Sequence, residues 1–293
     1  ITQQEEVIET LKNADAITTS VKRENLKYLV PVILKAWGDD PCTGKAIICC
    51  ENVENVGIYF KNLLMEQCSE KQKENIQKIR IPNTIVDRIC SMNSEDMTIV
   101  SEEFHELSVD KNVLSETGIE YINSIDNVEG HFYRKRYLLN SYADAISFLA
   151  KKEGLTYLYE AAQNDKINEQ IKPYMELLKD LLHERYHISK EELEQWQEIY
   201  RKRLQNDKIP RELTTVARNL WEKLTVEERF VKPLIQLLEM KKDIAEGAKF
   251  IKKLIECGTE DEELSQIKEK LMEIWNVCPE GEILFNMIDK ISD

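Results

Sequence analysis

Two short apolar runs rich in β-branched residues, Ala16-Ile17-Thr18-Thr19-Ser20-Val21 and Lys45-Ala46-Ile47-Ile48-Cys49-Cys50, are each followed by residues in helical spacing. That order constrains the fold more than any other feature. A strand that feeds a helix and then a second strand has the crossover a parallel sheet requires. Helical spacing runs over 3–13, over 24–37 and over 55–78, where Ile58, Leu63, Leu64 and Met65 face inward. Residues 81–125 read differently. Thr98–Glu102 and His105–Val109 alternate as short strands, with turns at Asn93, Ser94 and Asp110. This stretch is expected to join two domains.

Beyond about residue 126 the pattern is almost wholly helical. One helix is predicted over 131–153, stopped by Gly154. Others are predicted over 156–163, 165–187, 189–206, 211–223, 226–240, 242–257 and 260–275, with Ser189 and Glu192 spaced as a capping box. The predicted class is α/β plus all-α, with a parallel-sheet domain over 1–125 and a larger helical domain over 126–293. Only 9 glycines and 7 prolines occur, which favours long helices over a turn-rich β fold.

Composition excludes several functions. With 42% hydrophobic and 32% charged residues the chain can bury cores and is not of the disordered type. A net charge of -14 opposes nucleic acid as the main partner. No run of about 18 apolar residues is present, so no membrane span is predicted. The opening ITQQEEVIET is too polar for a secretory leader, and Ile1 in place of Met predicts a natural start upstream. Seven scattered cysteines without a CxxC pair indicate reduced thiols and a cytoplasmic setting. Cys49 and Cys50 read as small buried apolar residues.

Chemistry concentrates in His131–Asp144, HFYRKRYLLNSYAD, where Arg134 and Lys135 precede Asn140 by a few residues. A lysine held in a dry pocket takes a proton near neutral pH, and an amide can hold the oxygen that loses it. On a helix Asn140 and Ala143 nearly share a face, while Lys135 lies above and must reach with its stem. A solvated Arg-Lys-Arg cluster fits the same spacing. Asn52, just after the second strand, fits either an amide donor or a helix cap, and Asp87-Arg88 fits a local ion pair. His183 and His187 stand i,i+4, but no third ligand follows, so no metal is predicted. The chain has no G-x-G-x-x-G, no G-x-x-x-x-G-K-[ST] and no H-E-x-x-H.

Ordered islands across the chain resemble one family. Ala14-Asp15-Ala16-Ile17-Thr18-Thr19-Ser20-Val21 is similar to an A-D-x-V-T-T-x-V strand, and Cys50-Glu51-Asn52 to C-E-N. Val86-Asp87-Arg88-Ile89 is similar to V-D-R-I, and Glu102 to Asp110 to E-x-F-x-E-x-x-V-D. Arg134-Lys135 to Asn140 is similar to R-K-x-x-x-L-N. Val216, Arg218, Lys223, Leu224, Arg229 and Pro233 fall at the spacing of V-x-R-x-x-x-x-K-L-x-x-x-x-R-x-x-x-P. Together they resemble the mannitol dehydrogenase family, in particular its mannitol-1-phosphate 5-dehydrogenase branch.

The resemblance implies a partial Rossmann-type domain followed by a helical substrate domain. It also implies NAD-dependent, metal-independent interconversion of a polyol, or a sugar phosphate, and a ketose. By the same resemblance Lys135 is the general base, shielded from water, and Asn52 and Asn140 hold the substrate oxygen. Asp87, Lys223 and Arg134 bind substrate, and Thr18 and Thr19 lie along the cofactor cleft. Four positions depart from the pattern: Ala143 replaces a histidine, Tyr133 a glutamate, Lys22 a glycine and Thr215 an arginine. The glycine-rich phosphate loop is expected upstream of Ile1, so the chain as given is expected to bind NAD weakly. Two readings follow: an enzyme that keeps Lys135, Asn140 and Asn52, or a catalytically impaired binding protein. Free polyol and phosphate ester, NAD and NADP, and every oligomeric state are compatible with these residues.

Overall fold

The computed structural model describes residues 4–39, 41–92, 96–259 and 262–291. In chain order the elements begin with α1 (Gln4–Asn13), β1 (Ala16–Thr19), α2 (Val30–Trp37), β2 (Ala46–Cys49), α3 (Val56–Gln67) and α4 (Lys73–Lys78). Five short strands follow: β3 (Thr84–Asp87), β4 (Cys90–Met92), β5 (Ile99–Ser101), β6 (Glu106–Asp110) and β7 (Asn123–Ile125). Then come α5 (Val128–Lys135), a π-helical segment Arg136–Ser141, and α6 (Tyr142–Lys152). The remainder is α7 (Leu158–Gln163), α8 (Asp165–Tyr186), α9 (Lys190–Leu204), α10 (Leu213–Val216), α11 (Leu220–Lys223), α12 (Lys232–Glu239), α13 (Ala245–Gly258), α14 (Leu264–Trp275) and α15 (Pro279–Lys290). The chain divides into two units, Ile1–Arg88 with Glu103–Phe132, and Ile89–Glu102 with Tyr133–Asp293.

In the first unit β1 and β2 pair in parallel, Ala16 opposite Ala46 through Thr19 opposite Cys49. A parallel bridge from Ala46 to Arg80 extends the sheet by one more segment. β2 is buried along its whole length, as the run AIIC requires of a strand covered on both faces. Leu26, Val30, Ile33 and Trp37 pack with Val56, Phe60 and Leu64 in one apolar core. Trp37 donates its indole N–H to the Leu11 carbonyl at 2.6 Å, which ties α1 to α2. A second, mixed sheet has the order β3-β6-β7.

Two expected helices are interrupted here. The stretch 24–37 begins as a 3₁₀ turn, Arg23–Tyr28, and becomes α-helical only at Val30, where Pro31 occupies the first turn. The helix expected over 55–78 breaks after Gln67. Cys68 turns extended, and the Gln72 side chain accepts from both the Ser69 N–H and its hydroxyl at 3.1 Å. Lys61 then donates to the carbonyls of Ile76, Gln77 and Ile79 at 2.7–2.9 Å, closing the end of α4.

At the start of α3 the Asn83 side chain accepts from the Gly57 and Ile58 N–H groups at 3.1 and 3.3 Å. That contact brings the backbone close. A Cβ on Gly57 would stand 2.3 Å from the Pro82 carbonyl oxygen. Gly57→Ala is therefore expected to destabilise the protein by about 1–3 kcal/mol, since backbone rather than a flexible side chain must move. Denaturant unfolding checks this, and a variant as stable as wild type would contradict the geometry.

In the second unit α6 is buried on every residue from Tyr142 to Ala150. A helix buried on every side belongs inside a bundle. α8 presents Ile167, Ile171, Tyr174, Met175, Leu178 and Leu182 at helical spacing, and Tyr174 stacks on Phe250 of α13 at 4.8 Å. Tyr133 packs on Tyr186 at 4.7 Å. Gln236 joins this cluster, accepting from Tyr137 Oη at 3.0 Å and donating to Tyr186 Oη at 2.7 Å.

The β4–β5 hairpin belongs to this unit. Glu102, at its end, forms a bidentate pair with Arg203 of α9, with N···O distances of 2.7 and 3.0 Å. Both side chains are buried. Asn93 and Ser94, expected as turn residues, lie outside the described residues.

The helix expected over 211–223 splits into α10 and α11, because Asn219 takes a left-handed conformation at φ 55°. α12 starts at Lys232 rather than 226, again with proline in its first turn. α15 was not expected. Its signal is Pro279 at the first helical position, followed by Ile283, Leu284 and Ile288. Ser189 caps α9 as predicted, accepting the Glu192 N–H at 3.1 Å.

Candidate functional site

In the first unit the carboxyl ends of β1 and β2 open onto a cavity of about 410 Å³. Ser20, Lys22, Arg23, Glu51 and Asn52 are among its lining residues. This is the edge of a parallel sheet where ligands enter. Thr18 is exposed, whereas Thr19 is buried and donates its hydroxyl to Glu51 at 2.8 Å. Glu51 also accepts the Val21 N–H at 2.9 Å, so one buried carboxylate clasps the ends of both strands. The C-E-N island thus has a structural centre that sequence reasoning passed over. The thiols beside it stay protonated: burial pushes Cys49 up to about 12, and burial followed by the Glu51 charge raises Cys50. Asn52 is exposed at the cavity rim and does not cap α3, whose N-cap residue is Asn55. Asp87 is buried at the end of β3, opposite Glu106.

Lys22 carries the clearest backbone strain at this edge. Its φ of 68° with ψ of 152° lies in a region that glycine occupies freely and a side chain does not. Lys22→Gly is expected to raise stability by about 1–3 kcal/mol. Thermal unfolding reads it, and a lower melting temperature would show that the lysine side chain compensates for the strain.

In the second unit Lys135 is 6% exposed and Arg134 is 1% exposed. The two diverge. The Arg134 guanidinium lies 3.7 Å over the Trp196 ring and donates to Tyr200 Oη at 3.1 Å, so its charge is held by α9. Lys135 closes α5, and the chain then widens into the π segment Arg136–Ser141. Residues five apart are about 140° apart on an α-helix of 3.6 residues per turn. The i→i+5 closure of a π turn brings such residues much nearer to one face. The fivefold spacing of Lys135 and half-buried Asn140 therefore suits the segment between them. Ser141 contributes to that geometry, its Oγ lying 3.1 Å from the Arg136 carbonyl and 3.0 Å from that of Arg229.

Below this turn Ala143 is buried, and Asp144 beside it is the anionic centre of the unit. Its carboxylate receives Lys223 at 3.0 Å on one oxygen and Arg229 at 3.0 Å on the other. Burial lowers the Lys223 ammonium below its ordinary value despite the opposing pull of Asp144. These residues line a cavity of about 340 Å³ with Arg211, Thr215, Arg218, Asn219, Glu222 and Glu228. Thr215 donates its hydroxyl to the Glu212 carbonyl at 2.7 Å.

Asp144 and Arg211 were not singled out from sequence. For Asp144 the signal is a lone carboxylate in the apolar run YADAISFLA, which needs a cation when buried. His183 lies 2.9 Å from the Ile188 carbonyl, and His187 ends α8 in a left-handed cap. Among the described residues no group of three metal-ligating side chains occurs.

A family model described as the mannitol dehydrogenase Rossmann domain matches residues 1–122, and one described as the mannitol dehydrogenase C-terminal domain matches residues 127–273. The chain is 28% identical over 245 residues to a mannitol-1-phosphate 5-dehydrogenase of Caldanaerobacter subterraneus subsp. tengcongensis, covering 79% of this chain and 62% of that protein. It is 26% identical over 248 residues to a protein of the same name from Pyrenophora tritici-repentis, covering 81% and 63%. The chain thus spans less than two-thirds of the length of these relatives. The solved mannitol 2-dehydrogenase of Pseudomonas fluorescens, a ternary complex with NAD and D-mannitol, superposes with a TM-score of 0.74 at 13% identity, covering 98% of this chain and 73% of that one. That likeness establishes the fold, a Rossmann-type domain followed by a helical one. With both domain models matched in order along nearly its whole length, the chain belongs to the mannitol dehydrogenase family.

Proposed function

We propose that the protein carrying this chain is an NAD-dependent oxidoreductase that interconverts a sugar alcohol, or its phosphate, and a ketose. The observation that carries the reading is the burial of Lys135 at the mouth of a π turn that leads to Asn140. Lys135 Nζ, when neutral, accepts the proton of the alcohol O–H. The Asn140 amide donates N–H to the oxygen as negative charge builds there. Asn52 keeps the role of a second amide on the family resemblance, as do Asp87 and Lys223 that of substrate contacts. Arg134, held by Trp196 and Tyr200, acts by fixing the helix that carries Lys135.

The cavity at the carboxyl edge of β1 and β2 fits part of a dinucleotide. Lys22 and Arg23 offer cations there, and Ser20 and Asn52 offer polar groups. NAD, when bound, supplies the hydride acceptor. Relatives named as mannitol-1-phosphate 5-dehydrogenases support a polyol or its phosphate as substrate. Seven free thiols support a cytoplasmic setting, and among the described residues no helix is long and apolar enough to cross a membrane.

The test is NADH formation by full-length protein with mannitol, mannitol 1-phosphate and hexuronates. Turnover with none of them overturns the enzyme reading. A second reading, a binding protein descended from an enzyme, is favoured by Ala143, which puts a methyl group where a ring nitrogen would serve. It predicts ligand binding without turnover.

A further inference from the structure

Lys22, just past the carboxyl end of β1, holds a conformation that its surroundings impose. Val21 before it is fixed at both polar groups: its N–H donates to Glu51 at 2.9 Å, and its carbonyl accepts from the Asn25 side chain at 2.7 Å. The Lys22 carbonyl in turn accepts the Asn25 N–H at 3.1 Å. Between these contacts φ is 68° and ψ is 152°. Glycine would make the same backbone contacts without strain. A side chain held in such a region points to a task that a hydrogen atom cannot perform.

The side chain is exposed and lines the cavity of about 410 Å³ at the sheet edge. Two cations, Lys22 and Arg23, and two carboxylates, Glu24 and Glu51, face that cavity. Arg23 lies over the Tyr59 ring at 4.5 Å, which anchors its guanidinium to α3. Glu51 is taken by the Thr19 hydroxyl and the Val21 N–H. Without Lys22, one cation would face two carboxylates on a chain of net charge -14. A pyrophosphate entering there would meet repulsion both from the cavity and from the chain as a whole.

We propose that Lys22 is a ligand for the pyrophosphate of the dinucleotide, and that the strained backbone is kept for this contact. Its ammonium is a point charge on a flexible stem, so it reaches a phosphate oxygen without a fixed angle of approach. Arg23, seated on Tyr59, lacks that freedom. The inference rests on the reading of this cavity as part of a dinucleotide site. It sets stability against affinity at a single residue, because the glycine that relaxes the backbone also removes the charge.

Titration of full-length protein with NADH, with ADP-ribose and adenosine as competitors, tests the proposal. Lys22→Gly is expected to weaken NADH and ADP-ribose by about three- to tenfold while raising the melting temperature. Lys22→Gln keeps a side chain and loses the charge. It is expected to weaken both ligands by the same factor with the melting temperature unchanged. Lys22→Arg is expected to retain most of the affinity, since a guanidinium also holds phosphate. Adenosine carries no phosphate and should compete equally in every variant, and added salt should weaken NADH more in wild type than in Lys22→Gln. Unchanged NADH affinity in Lys22→Gln, or an equal loss for adenosine, overturns the proposal and leaves the dehydrogenase reading standing. So does a lower melting temperature in Lys22→Gly with NADH affinity intact, which assigns the lysine to the scaffold. NADH binding that depends on the Lys22 charge, without turnover of any polyol, sinks the dehydrogenase reading and leaves the contact standing. A wild type that binds neither NADH nor ADP-ribose overturns both.

Discussion

Full-length Lys135→Ala is expected to lower kcat/KM for polyol oxidation by about 10²- to 10⁴-fold, the range for loss of a positioned general base. The loss should fall mainly on kcat, because a proton acceptor acts as the O–H bond breaks rather than when substrate docks. Lys135→Arg should not rescue it: a guanidinium remains protonated at every accessible pH. The side chain is 6% exposed, so alanine also leaves a small void, and a melting curve must accompany the kinetics. The decisive control is ligand affinity. If Lys135→Ala binds mannitol 1-phosphate as wild type does but turns it over normally, another group takes the proton and the assigned role is wrong.

Arg203→Met is expected to lower stability by about 3–5 kcal/mol, because it strips the buried Glu102 carboxylate of its bidentate partner. Two N–H donors at 3.0 Å or less hold that carboxylate, which also accepts the Ile89 N–H at 2.6 Å. Loss of the arginine therefore loosens both ends of the segment 89–102. The paired replacement Glu102→Leu with Arg203→Met should recover most of the deficit, since removing both charges removes the uncompensated one. Urea unfolding of the three variants decides the matter. A single variant within about 1 kcal/mol of wild type would mean that water reaches Glu102 once Arg203 is gone.

Much of the architecture was readable in advance, and the interruptions show where reading stops. β1 and β2, the helical second half and the Ser189 cap are local signals, carried by residues within a few positions of one another. The break after Gln67 and the late start of α12 were missed because helical periodicity continues across them, while a glutamine side chain and a proline decide the backbone. At the site, Lys135 and Asn140 stood out by type and spacing. The π turn between them did not, since a five-residue interval carries no mark of how the intervening carbonyls are bonded. The Arg134 partner Tyr200 lies 66 residues away, and no local pattern names it.

That separation is the general reason. The order of strand and helix, the switch from sheet to bundle and the family pattern are properties of neighbours along the chain, and the sequence alone determined them. Which charge neutralises which was decided only by tertiary structure. Glu102 with Arg203 spans 101 residues and Asp144 with Arg229 spans 85, and nothing in either local context names the other. Charge interactions depend on distance and burial, which folding sets, whereas periodicity depends on position along the chain.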